Sequence, residues 1–108
     1  MSNKIRINEL LDYYGGLLTE RQQTLCRYYY REDLSMQEIA EEEGISRAAV
    51  SDTIRKCAAE LEKYEGILKC VQAARERQAI YRRMEQDPSC GEYVSSLKET
   101  ELIGGNYE

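Results

Sequence analysis

The sequence predicts an all-α protein, a helix-turn-helix bundle with a long C-terminal helical extension. The composition favours helix, because the 108 residues include one proline and few runs of β-branched side chains. Apolar residues recur every three or four positions along most of the chain, which is the period of a helix with one buried face. Three segments also match the capping box that opens many helices. A chain of this length can bury one modest core.

The first two predicted helices are marked by an apolar stripe and by a cap. The first helix has apolar residues at the spacing i, i+3, i+4 and i+7, namely Ile7, Leu10, Leu11 and Tyr14. Gly15 and Gly16 follow, and helices commonly end at such residues. The second helix is predicted to begin after Thr19, with Gln22 completing a capping box.

Residues 35–56 match a helix-turn-helix motif. A short helix is predicted from the capping box of Ser35 and Glu38 to about Glu43. Gly44 can take the positive φ of a tight turn, and Ser46 is a suitable N-cap for the next helix. The motif also needs small or apolar residues where its two helices cross, and these are Ile39, Ala40, Ile45, Val50 and Ile54.

The fourth predicted helix is long and carries a heptad seam. It begins at Arg47, and its apolar or small positions are spaced alternately by four and three residues, at Val50, Ile54, Cys57, Leu61, Tyr64 and Leu68. Gly66 interrupts this helix with a residue of low helix propensity, so a bend or short break is predicted there. We therefore divide the chain into a helix-turn-helix domain, residues 1–66, and an extension, residues 67–108, that either packs on the domain or serves dimerisation.

The extension is predicted to contain two helices and a tail. Residues 67–86 have a helical stripe formed by Cys70, Ala73, Ile80 and Met84. Pro88 stops this helix and restricts the residue before it. A capping-box match at Ser89 and Glu92 opens a last helix ending near Leu102, and residues 103–108 are expected to form a frayed tail.

The residue types argue against an enzyme and against a metal or cofactor site. The chain has no histidine, so it lacks the commonest general base and cannot build a Ser-His or Cys-His pair. The four cysteines are too widely spaced for a typical zinc site, at Cys26, Cys57, Cys70 and Cys90. No apolar run approaches a membrane span and no leader precedes the first helix, so the expected compartment is the cytoplasm.

The second helix of the motif offers a candidate surface for DNA. If it lies in the major groove, its outward N-terminal residues meet base edges, and these are Arg47, Ala48, Ser51 and Asp52. Arg55 and Lys56 follow at a distance suited to phosphates, and Ser46 could add a phosphate hydrogen bond at the helix start. Arg47 is the best candidate for guanine, because a guanidinium can bond O6 and N7 together. The alternative interpretation is that Arg47, Arg55 and Lys56 are ordinary solvated charges.

The charge distribution leaves a second function open. The net charge is −5, and residues 35–66 contain four basic and eight acidic residues. An autonomous DNA-binding protein generally has a basic face. The acidic surface around Glu41, Glu42 and Glu43 would instead attract a basic partner. The alternative to a DNA-binding regulator is therefore a module that binds protein or ribonucleoprotein.

Residues 17–63, from LLTERQQ to AAELEK, resemble region 4 of bacterial sigma factors. Together with INELLDYYGGLLTERQ (residues 7–22) and YEGILKC (residues 64–70), they are more similar still to the YlxM-like family of small helix-turn-helix proteins. The resemblance implies a sigma-like helix-turn-helix and a DNA-binding, regulatory role. It also implies a link to the signal recognition particle, whose genes lie beside those of the family.

Two expectations follow from the motif and the resemblance. Since a lone helix-turn-helix reads few base pairs, we expect a homodimer, formed through the seam beyond Tyr64 and the helix from Ile67. The chain departs from many relatives in its second motif helix, where Ala49, Ser51 and Thr53 give a smaller and less amide-rich surface. The base preference of the relatives therefore cannot be carried over to this chain.

Overall fold

The computed structural model describes residues 2–102, which form six α-helices and no β-strand. The helices are α1 (Ser2–Tyr14), α2 (Glu20–Cys26), α3 (Met36–Glu43), α4 (Arg47–Leu68), α5 (Cys70–Met84) and α6 (Gly91–Thr100). A π-helical turn, Arg27–Arg31, extends α2. Within the described range, no helix combines the length and apolarity that crossing a bilayer requires. The predicted tail, residues 103–108, lies outside the described residues.

Helix α4 is the centre of the bundle. It packs against α1, α2 and α3, and its buried side chains follow the predicted heptad as far as Leu61, with Val50, Ile54, Cys57 and Leu61. The predicted stripe of α1 is also buried, with Ile7, Leu10, Leu11 and Tyr14 in the same core. Helices α1 to α4 therefore share one apolar interior.

Two of the three predicted capping boxes form. The Thr19 hydroxyl accepts a hydrogen bond from the backbone N–H of Gln22 (3.2 Å). The Ser35 hydroxyl accepts one from the N–H of Glu38 (3.1 Å). In both boxes the third residue bonds back to the N–H of the capping residue, so the starts of α2 and α3 are fixed as predicted.

The third predicted capping box is wrong. The Asp87 carboxylate accepts the N–H of Ser89 (3.0 Å), and a 3₁₀ turn, Pro88–Cys90, precedes α6. Proline has its φ fixed near the helical value and has no N–H, so it favours the first position of the turn. The capping residue is therefore Asp87, two residues before the predicted Ser89. No side chain caps the start of α6 itself.

The predicted break at Gly66 is also wrong. Helix α4 continues through Gly66 to Leu68, and the chain turns at Lys69, whose φ of 54° is in the left-handed region. The Glu65 carboxylate accepts hydrogen bonds from the backbone N–H groups of Val71 (3.1 Å) and Gln72 (3.0 Å). Glu65 therefore supplies the cap of α5 from within α4, and these bonds place the break immediately before α5.

The buried stripe of α5 lies one residue away from the predicted one. Val71, Ala74 and Tyr81 are buried, whereas Ile80 is exposed. Both stripes fit a helical period. The Tyr81 ring is buried, and the Tyr81 hydroxyl donates a hydrogen bond to the Glu101 carboxylate (2.6 Å). A tyrosine with a partner for its hydroxyl can serve as a core residue, and α5 turns this face toward its neighbours.

Candidate nucleic-acid interface

Helices α3 and α4 form the predicted helix-turn-helix. Gly44 lies between them with φ 67° and ψ 34°, a conformation that glycine adopts without steric cost. The N–H of Ile45 donates to the carbonyl of Ala40 (3.1 Å) and closes the turn. The crossing residues Ile39, Ala40, Val50 and Ile54 are buried and Ile45 is half-buried, so the predicted core of the motif is confirmed.

The start of α4 is exposed and firmly capped. The Ser46 hydroxyl accepts the N–H of Ala49 (3.0 Å), which leaves its own proton free to donate. Arg47 and Ala48 follow in the first turn, and both are exposed. Within residues 2–102, the Arg47 side chain has no hydrogen bond or ion pair. Its guanidinium can therefore approach a ligand without first losing a partner.

One turn farther along, a single carboxylate faces two basic side chains. Asp52 Oδ1 lies 2.5 Å from Arg55 Nη2, and Asp52 Oδ2 lies 3.1 Å from Lys56 Nζ. Ser51 and Asp52 are half-buried, whereas Arg55 and Lys56 are exposed. The spacing i, i+3 and i+4 could have signalled these pairs in the sequence. The carboxylate offsets part of the positive charge of this surface.

The fold brings a further basic residue, Lys4, to the flank of α4. A groove of about 370 Å³ is lined by Lys4 and Tyr29 on one side and by Ser51 and Arg55 on the other. Lys4 Nζ lies 4.3 Å from the centroid of the Tyr29 ring and 2.9 Å from Asp33 Oδ1. This hydrogen bond lowers the pKa of the Asp33 carboxyl. Sequence reasoning missed Lys4, because only the packing of α1 on the bundle places it here.

The acidic residues of α3 occupy the other half of the motif. Glu41 and Glu42 are exposed, while Glu43 is partly covered and lies 3.7 Å from Arg21. Glu41 also accepts a hydrogen bond from Gln37 (3.2 Å). The motif thus presents a basic surface on the N-terminal half of α4 and an acidic surface on α3.

The four cysteines are free thiols, and two of them lie in the core. Cys26 and Cys57 are buried, and Cys70 and Cys90 are half-buried. A hydrogen bond with Cys57, together with burial, raises the pKa of the Cys26 thiol. Between residues 2 and 102, no three cysteine or carboxylate side chains are grouped as metal ligands would be.

Comparisons with known proteins agree with this geometry. A family model described as "Putative helix-turn-helix protein, YlxM / p13 like" matches residues 1–100. UPF0122 proteins of Bacillus thuringiensis (strain Al Hakam) and Bacillus mycoides (strain KBAB4) are each 43% identical over 90 residues. Each of these matches covers 83% of this chain and 82% of the relative.

Proposed function

The chain belongs to the UPF0122 family of YlxM/p13-like helix-turn-helix proteins, and from this premise we propose that it is a DNA-binding regulatory protein. Helix α4 would enter the major groove with its N-terminal end against the bases. The residues proposed to contact DNA are Ser46, Arg47, Ala48, Ser51, Asp52, Arg55 and Lys56. A homodimer would read two half-sites, as helix-turn-helix proteins commonly do.

One observation carries this proposal: an exposed and unpaired arginine stands in the first turn of the second motif helix. Arg47 has the reach and the two-pronged geometry to bond guanine O6 and N7. The Ser46 hydroxyl and the free N–H groups of the α4 start favour a phosphate nearby. Arg55 and Lys56 would then neutralise phosphates farther along the groove.

The direct test is the binding of the purified full chain to labelled random-sequence duplexes, followed by fluorescence anisotropy as the salt concentration rises. Binding at low salt that weakens linearly in log affinity against log salt supports the proposal, because phosphate contacts release counterions. Absence of binding to any duplex at low salt overturns it.

Replacing Asp52 with asparagine is expected to strengthen non-specific DNA binding. The carboxylate holds the Arg55 and Lys56 side chains, so its removal frees both cations for phosphates. We expect a gain in affinity of about threefold to tenfold at low salt and a salt slope steeper by about one unit. Glu62→Gln is the matched control, since it changes the net charge equally but lies in the C-terminal half of α4. Equal gains in both variants would show that only net charge matters.

A second candidate function is supported by the acidic surface of α3. Exposed Glu41 and Glu42 would attract a basic protein or ribonucleoprotein, and components of the signal recognition particle are the partners that the family resemblance suggests. Reversing the charges of Glu41, Glu42 and Glu43 to lysine separates the two functions. DNA affinity should rise about tenfold or more if the chain binds DNA. A fall in the capture of basic partners, with DNA affinity unchanged, would favour the second candidate.

A further inference from the structure

Helices α5 and α6 form an antiparallel hairpin at the C-terminal end of α4. Val94 and Tyr81 are buried along the seam between them. Two ion pairs span the seam, Arg77 with Glu101 (2.7 Å) and Glu85 with Lys98 (2.8 Å). The hairpin also touches the bundle where the Arg75 guanidinium binds the Glu9 carboxylate of α1.

The hairpin has an exposed apolar face on one side of this seam. Ile80 lies three residues after Arg77, and Leu97 lies four residues before Glu101. Residues at these spacings share one side of a helix, so both lie beside the Arg77–Glu101 ion pair. The face contains Ile80 (51% exposed), Tyr93 (70%) and Leu97 (41%), together with half-buried Met84.

This face lies away from the rest of the bundle. On α5, Arg75 reaches α1, and helical geometry puts Ile80 about 140° around the axis from it. The apolar side chains of the hairpin face therefore do not serve the core. An exposed apolar face shared by two neighbouring helices is a candidate interaction site.

The charges at the edge of the hairpin face are complementary to a second copy of themselves. On α5, Glu76 lies four residues before Ile80 and Arg83 lies three residues after it. A two-fold axis near Ile80 that pairs two α5 helices antiparallel would place each Glu76 opposite Arg83 of the other copy. Within residues 2–102 neither side chain has an ion pair, and Glu76 accepts one hydrogen bond, from Gln72 (3.2 Å).

We propose that a second copy of this chain docks on the hairpin face. Ile80, Met84, Tyr93 and Leu97 of both copies form the apolar centre of the interface, and two Glu76–Arg83 pairs form its rim. The inference rests on the dimer named in the proposed function and assigns its surface to the α5–α6 hairpin. Its test requires no DNA, so loss of DNA binding and loss of the dimer are separate results.

The test is sedimentation equilibrium of the full chain and of folded variants, with circular dichroism as the check of folding. The wild type is expected to dimerise, and Ile80→Glu to weaken the dimer at least about tenfold, because a charge would enter an apolar centre. Leu17→Glu is the matched control, since Leu17 is apolar and exposed to a similar degree but lies outside the hairpin, in the turn that follows α1. It should leave dimerisation unchanged.

A charge swap makes the test specific for the pairing. Arg83→Glu should weaken the dimer by placing like charges together, and the double variant Glu76→Arg with Arg83→Glu should restore it. A monomeric wild type overturns the proposal. A full chain that is monomeric but dimerises once residues 103–108 are removed overturns it as well, because the occupant of the face would then be a segment of the same chain. A dimer insensitive to Ile80→Glu, or one without rescue in the double variant, also overturns it.

Discussion

Replacing Glu65 with alanine is expected to lower the free energy of unfolding by about 3 kcal/mol. The Glu65 residue is 8% exposed. Its carboxylate accepts three hydrogen bonds, from the Tyr14 hydroxyl (2.5 Å) and from the N–H groups of Val71 and Gln72. Alanine would leave the Val71 N–H buried without its acceptor. It would also disturb Tyr14, whose hydroxyl accepts the N–H of Cys70 (3.0 Å).

Urea unfolding followed by circular dichroism measures this loss, and Glu62→Ala is the matched control. Glu62 lies on the same helix and binds Arg6, but both side chains are substantially exposed. Exposed ion pairs contribute between zero and about 1 kcal/mol. Losses of similar size in the two variants would contradict the role assigned to Glu65.

The contribution of Glu65 should also depend on pH. Burial opposes ionisation of Glu65, but its hydrogen bonds with Tyr14, Val71 and Gln72 outweigh burial and hold its pKa below the usual range. The stabilisation is therefore complete above the pKa of an unfolded glutamate, about 4.3. It is lost as the pH falls through the lower value of the folded state. The difference in unfolding free energy between the wild type and Glu65→Ala should thus shrink at pH values below about 4.3.

Replacing Arg47 with alanine is expected to weaken specific DNA binding roughly tenfold to hundredfold, or about 1–3 kcal/mol. The loss follows from the bidentate bond to guanine proposed for this guanidinium. It is measured by anisotropy with duplexes that the wild type selects from a random pool. Competition with unselected duplexes should show that the preference for the selected sequence falls as well.

Lys63→Ala is the control for Arg47, because Lys63 is an exposed cation of the same helix. It lies about 24 Å farther along α4. If both variants lose affinity equally and retain the same preference, Arg47 acts only as a positive charge. The proposal that it reads bases would then be wrong.

The helix-turn-helix was predictable because its determinants are local. The caps Thr19 and Ser35 bond to residues three positions away, and the turn needs only Gly44 between two apolar stretches. The α4–α5 break was not predictable from local propensity. Gly66 has a lower helix propensity than Lys69, yet the hydrogen bonds between Glu65 and the next helix place the turn at Lys69. Tertiary contacts here override the preference of a single residue.

The candidate site likewise contains features that the sequence predicts and features that only the tertiary packing produces. The exposure of Arg47 follows from its place in the first turn after the cap, and the sequence contains that information. Lys4 reaches the flank of α4 only through the packing of α1, which no short-range pattern describes. Tyr81 was missed as a core residue because its burial depends on Glu101, twenty residues away.

The continuity of α4 has a geometric consequence for any complex with DNA. One uninterrupted helix carries the proposed DNA-binding surface at its beginning and the hairpin at its end. Each residue of α4 adds about 1.5 Å of length and 100° of rotation between the two ends. In the proposed dimer, the residue count of α4 would therefore set the separation and the relative phase of the two proposed DNA-binding helices. A single insertion in that helix would change which side of the duplex each of them faces.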